Sequence, residues 1–166
     1  MPYARFNKCA YVLDDKRLFK QAVECKQILL ALGVSVGANT PTGSAAWQNH
    51  PAVRMWRGNE LPLAIYSVHI AAEVRRRLRY RDKFLEEFLQ VVRALRRPGE
   101  PARYPIWLRD WSIMTSHRSN LLRKKPDWYS RFGWLVKKDL PYKWPIPGPH
   151  GDANVESESR SAEAVV

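Results

Sequence analysis

The chain reads as an all-α protein folded as one compact domain, and three observations carry that reading. Apolar residues recur at spacings of three and four along most of the chain, the period of helices with one buried face. Strand-like alternation is nearly absent, and no segment repeats another. At 166 residues and 19.3 kDa, with 45% apolar residues, the chain can bury a core without disulfides or a structural metal.

The strongest periodic segment supplies a long first helix. Asp14 or Asp15 can cap its start and Gly33 can end it, with Leu18, Ala22, Cys25, Leu29 and Leu32 as its apolar stripe. Residues 33–46 are small and polar, so they read as a loop. Pro51–Trp56 forms a short helix after His50. A long helix follows Asn59, with Pro62 in its first turn, where a missing N–H costs nothing. Its inward face is Leu63, Tyr66, Ile70 and Val74, and Arg75, Arg76, Arg77, Arg79 and Arg81 crowd its end. Another helix runs from about Asp82 to Arg97, with Phe84, Phe88, Val91 and Leu95 inward, until Pro98-Gly99 stops it. A last helix spans Asp110 to Lys124 and ends before Pro126. Prolines recur from Pro141 and an acidic segment follows, so the expected division is a domain over 1–140 and a disordered tail over 141–166.

Charge narrows the function. Lys and Arg total 28 against 16 Asp and Glu, a net +12 with a pI near 10.0. Residues 150–166 hold four acidic residues and only Arg160, so the rest of the chain carries +15. A compact body with that excess points to a polyanion, and nucleic acid is the commonest. No apolar run approaches the roughly 18 residues of a membrane span, which excludes a helical membrane protein. No leader pattern opens the chain, so a cytoplasmic protein is expected. Cys9 and Cys25 make no disulfide framework and no C-x-x-C pair. Neither a metal nor a cofactor is expected, and a monomer is favoured.

Four places could carry chemistry. On the polar side of the first helix, Glu24 lies near Arg17 and Gln21; it is either an acid–base group beside a cation or a surface partner of Lys20. The run from His50 to Gly58 holds Arg54 and Arg57, which can clamp phosphates. Arg75–Arg81 and the run Arg118, Arg123, Lys124, Lys125 are either phosphate contacts or solvated faces. Between Pro126 and Trp134, Trp128, Tyr129, Phe132 and Trp134 surround Arg131; the rings either stack on bases or pin the segment to the core.

Taken in order, these stretches resemble the pyrimidine-dimer DNA glycosylases of phages and bacteria, the endonuclease V-like family. The resemblance rests on Val12-Leu13-Asp14-Asp15-Lys16-Arg17-Leu18-Phe19-Lys20-Gln21, on Glu24 and on Gln27-Ile28-Leu29. It continues through Trp47-Gln48-Asn49-His50-Pro51-Ala52-Val53-Arg54-Met55-Trp56-Arg57-Gly58, Tyr66 and Glu73. It ends with Ser116-His117-Arg118-Ser119-Asn120-Leu121-Leu122, Lys125-Pro126-Asp127-Trp128-Tyr129 and Gly133-Trp134. It implies double-stranded DNA with a damaged pyrimidine as partner, cleavage of the glycosidic bond, and strand scission at the abasic sugar. An N-terminal amine forms an imine with the sugar in that family. Removal of Met1 would put that amine on Pro2, and Glu24 falls on the position of the assisting glutamate. The DNA-facing positions carried over are Arg17, Gln21, His50, Arg54, Arg57, His117, Arg118, Lys125, Trp128 and Tyr129. Two other readings share this fold: a protein that binds distorted duplex without chemistry, and a glycosylase for another modified pyrimidine.

Overall fold

The computed structural model describes residues 1–41, 45–79 and 83–145. Among the described residues there are eight α-helices and no β-strand. They are α1 (Phe6–Val12), α2 (Asp15–Ala31), α3 (Ala45–Gln48), α4 (Pro51–Trp56), α5 (Glu60–Leu78), α6 (Phe84–Leu95), α7 (Trp111–Lys124) and α8 (Pro126–Tyr129). Single 3-10 turns cover Ile106–Arg109 and Ser130–Phe132.

Local chemistry sets the ends. Asp14 is extended, and its side chain accepts from the backbone N–H of Arg17, so α2 starts one residue later. Gly33 follows α2 in the left-handed region, φ +86°, where a side chain would be strained. His50 caps α4 by accepting from Ala52 N–H at 3.2 Å, with Pro51 in the first turn. Asp110 caps α7 through Ser112 N–H at 2.8 Å.

The core forms around α5, against which α1, α2 and α6 pack. Leu18, Ala22, Cys25 and Leu29 of α2 meet Leu63, Tyr66, Ile70 and Val74 of α5, and all eight are buried. Burying a Leu, Ile or Val side chain contributes about 1.5–3 kcal/mol. Phe88 and Val91 seal the α6 side.

The structure adds to the expected elements and corrects one boundary. The long helix is second in chain order, because the seven-residue α1 precedes it. The prolines from Pro141 onward do not begin a free tail. Leu140 N–H donates to Ser119 Oγ at 3.1 Å and Lys143 N–H to Ser116 Oγ at 3.2 Å, so residues 140–145 lie along α7 as a strap. The rest of the expected tail, 146–166, lies outside the described residues.

Candidate active site

Two distant stretches meet on α7. From one side come Met1 and Pro2, both buried. Arg118 Nε donates to the Pro2 carbonyl at 2.8 Å. Its guanidinium lies 4.5 Å from the Tyr3 ring centre and 4.6 Å from that of Trp111. With 8% exposure, Arg118 is buried against the N-terminal arm and anchors it. The arm is further fixed by Cys9 Sγ–H, which donates to Tyr3 O at 2.9 Å, and by Trp134 Nε1–H, which donates to Tyr3 Oη at 2.8 Å.

That anchoring delivers the terminal nitrogen of Met1 to 2.7 Å from His117 Nδ1. The amine belongs to Met1 here, and the Pro2 nitrogen is an amide. Burial lowers the amine from its ordinary value of 8.0 to about 5. His117 is also held well below its ordinary value, first by burial and then by the adjacent amine. Burial is the first cause for both, and for His117 the amine 2.7 Å away adds to it, because two cations that close and out of water are strongly disfavoured. Both bases are therefore neutral at pH 7. Cys9, close by, has its thiol pushed up to about 11 by burial and stays protonated.

From the other side comes the strap. Tyr142 Oη lies 3.0 Å from the same His117 Nδ1. Tyr142 is 40% exposed as a residue, and its pKa is raised, first by burial and then by the Glu24 charge. Glu24 is thereby linked electrostatically to the group that touches His117. Trp144 packs near both His117 and His50, with ring centres 6.0 and 6.2 Å away, and so ties the α4 cap to the same site. His117 Nε2 is buried with no hydrogen-bond partner among the described residues.

Glu24 is half-buried on α2, with Lys20 Nζ 3.7 Å from one carboxylate oxygen. Cations crowd around it. Lys124 is lowered by burial and then by Arg17, Lys20 and Arg123, whereas Glu24 pulls it back up. Like charges that disturb one another form a cationic rim across α2 and α7, with one carboxylate inside it.

The remaining expected contacts divide. Arg54 and Arg57 stand exposed on and after α4, and Arg57 Nη2 donates to Gln48 O at 3.2 Å. Gln21 is half-buried, and its Nε2 lies 3.9 Å from Cys25 Sγ. His50 is committed to its capping bond. Tyr129 is wholly buried: Oη donates to Asp14 Oδ2 at 2.7 Å and accepts from Asp14 N–H at 3.2 Å. Arg17 Nη1 meets the same carboxylate at 2.7 Å, and Lys125 Nζ approaches its other oxygen at 3.9 Å. Tyr129 thus pins its segment to the core. Trp128 is half-buried; its Nε1–H donates to Val12 O at 2.8 Å, and Arg131 lies 3.5 Å from its ring centre. The arginine run at the end of α5 is also largely spoken for. Arg76 pairs with Glu73, Arg75 with Glu86, and Arg77 with Asp15 and Leu13 O, while Tyr80 and Arg81 lie outside the described residues.

A helical, strongly basic chain that brings an amine, an imidazole and a carboxylate beside a cationic rim has the makings of a protein that works on a polyanion. The chain belongs to the pyrimidine dimer DNA glycosylase family, whose sequence profile matches residues 1–96. It is therefore a DNA glycosylase of the pyrimidine-dimer class. The match spans α1 to α6 and includes Pro2 and Glu24, whereas His117, the Trp128 segment and the strap lie beyond it. No curated protein and no solved structure matches the chain.

Proposed function

We propose that the protein removes cyclobutane-type damaged pyrimidines from duplex DNA and then cuts the strand, using its N-terminal amine as nucleophile and Glu24 as the assisting carboxylate. The observation that carries this reading is the terminal nitrogen itself. It is buried, neutral at pH 7 and 2.7 Å from His117 Nδ1, in a cluster whose Tyr142 feels the charge of Glu24. A neutral amine has the free electron pair that attack on C1′ requires. As the N–C1′ bond forms, the glycosidic bond breaks and the base leaves with its electron pair. Loss of O4′ from C1′ then gives an imine, on Met1 or, after removal of Met1, an iminium on Pro2. Loss of a C2′ proton expels the 3′ phosphate. Glu24 stabilises the positive charge that develops at the sugar and moves protons in the later steps. The rim of Arg17, Lys20, Arg123 and Lys124, with exposed Arg54 and Arg57, supports a phosphate-gripping surface.

The test is reductive trapping on duplexes that each carry one defined lesion. A covalent adduct is expected on the residue at the mature N-terminus, identified by mass spectrometry, together with strand breaks. An uncleavable extension ahead of that residue should abolish the adduct and leave DNA binding in place. An adduct that survives the extension would move the chemistry to a lysine.

A further inference from the structure

The strap, the imidazole and the amine form a unit that neither the family match nor the chemistry above assigns. Arg118 fixes the Pro2 carbonyl and so sets where the preceding nitrogen lies. His117 Nδ1 has that nitrogen at 2.7 Å and Tyr142 Oη at 3.0 Å. A ring nitrogen with one lone pair accepts from only one of them at a time. The strap that carries Tyr142 is itself bonded to Ser116 and Ser119, the residues on either side of His117 and Arg118.

We propose that His117 and Tyr142 are the positioning pair of the nucleophile: the neutral imidazole accepts an N–H from the N-terminal nitrogen at Nδ1, which holds and desolvates that nitrogen and leaves its electron pair turned away from the ring toward the sugar, and the strap's hydroxyl takes the same Nδ1 as the nitrogen moves onto the sugar. This rests on the amine reading given above. No step adds a reactant. Any ammonium proton passes to water before attack, so Nδ1 stays unprotonated, and Tyr142 donates its hydroxyl hydrogen bond to Nδ1 once the nitrogen's N–H has turned away. The nitrogen's pair forms the bond to C1′, and the base takes the pair of the broken bond. The groups around the amine are Cys9 of α1, His117 and Arg118 of α7 and Tyr142 of the strap, with Tyr66 of α5 and Glu24 of α2 coupled to Tyr142. Cys9, Tyr66 and Tyr142 are all raised and keep their protons through neutral pH. The amine and His117 are then the bases of this group whose lowered values bear on the range below neutrality.

The experiment follows cyanoborohydride trapping on an abasic duplex from pH 5 to 9, with the full chain. Wild type should trap nearly as well at pH 6 as at pH 9. In His117→Ala, water fills the imidazole's space and the amine returns toward its ordinary value. It is then only about 1% neutral at pH 6, so trapping there falls about 100-fold and recovers at pH 9 to within about threefold. Tyr142→Phe removes one hydroxyl and leaves the strap's backbone bonds; its trapping at pH 6 should fall about tenfold, the worth of one hydrogen bond. DNA binding should be unchanged in Tyr142→Phe. A variant that merely misfolds would lose trapping at every pH, and Tyr142→Phe decides the matter if His117→Ala does not fold. Wild-type trapping with an unaltered pH profile in the folded variants would overturn the pair and leave the amine reading standing. Wild type that forms no N-terminal adduct at any pH would overturn both.

Discussion

Glu24 and Tyr129 show how differently single residues declare themselves. Glu24 was legible as a candidate because the family register marks it, although its spacing from Lys20 also fits a plain surface pair, and that pair exists at 3.7 Å. Glu24→Gln keeps the shape and removes the charge. Cleavage of lesion DNA should slow by about 100-fold or more, the scale of a lost electrostatic or acid–base group, with binding nearly unchanged in a gel-shift titration. Tyr129 reads in sequence as one more ring in a cationic run. Its fate depends on Asp14, 115 positions away, and no local pattern carries that information. Burial alone would raise the Asp14 carboxyl, but bonds from Tyr129 and Arg17 outweigh it and leave the value lowered. A carboxyl lowered on folding stabilises the protein above its unfolded value of 3.8, and that stability is lost as pH falls through the folded value. Tyr129→Phe should cost about 1.5–3 kcal/mol at pH 7, the worth of a hydrogen bond to a charged group. Urea melts should show that deficit shrinking as Asp14 protonates at low pH.

The elements were legible where their apolar period runs for several turns. Both α2 and α5 were clear for that reason, and the capping roles of Asp14 and Asp110 follow from residue type. In contrast, α1 has seven residues and α8 four, too short for a period to emerge; tertiary contacts hold them. The strap was hidden for another reason. Its prolines signal an unpaired chain, and only the hydroxyls of Ser116 and Ser119 reveal that its backbone has partners. Truncation after Pro145 should leave folding and cleavage intact, whereas truncation after Lys138 should remove Tyr142 and cut the trapping rate sharply; gel assays of the two truncations would show it. The rim across α2 and α7 gives a separate expectation. Lys124→Gln removes one cation that makes no ion pair among the described residues, so the slope of log K against log salt for duplex binding should flatten by about 0.9. Arg76 is already neutralised by Glu73, and Arg76→Gln should leave the slope where it was.

For the molecule as a whole, the buried amine makes stability depend on pH in a defined direction. The unfolded chain takes up the amine's proton near pH 8.0, whereas the folded chain resists until about pH 5. The unfolded state therefore binds more protons between these values, and stability falls as pH drops from 8 to 5 and then levels. The three-unit gap corresponds to ~4 kcal/mol, and His117 adds loss in the same direction. Urea melts at pH 8 and pH 5.5 should show the decline, and acetylation of the N-terminus should remove the amine's share. The net charge was plain from composition, but its distribution was not, because the arginines of the last turn of α5 are paired with acids of their own or neighbouring helices.

The amine and His117 stand 116 positions apart, and Tyr142 follows 25 later. During synthesis, the first residue emerges long before α7 and longer still before the strap. Until both have left the ribosome, the N-terminal arm has no dock, and the nitrogen stands in water as an ordinary ammonium. Contacts of such long sequence separation form late, because the loop between them must close first. The terminal nitrogen thus leaves water, and gives up most of its hold on a proton, only as the final turns of the chain settle.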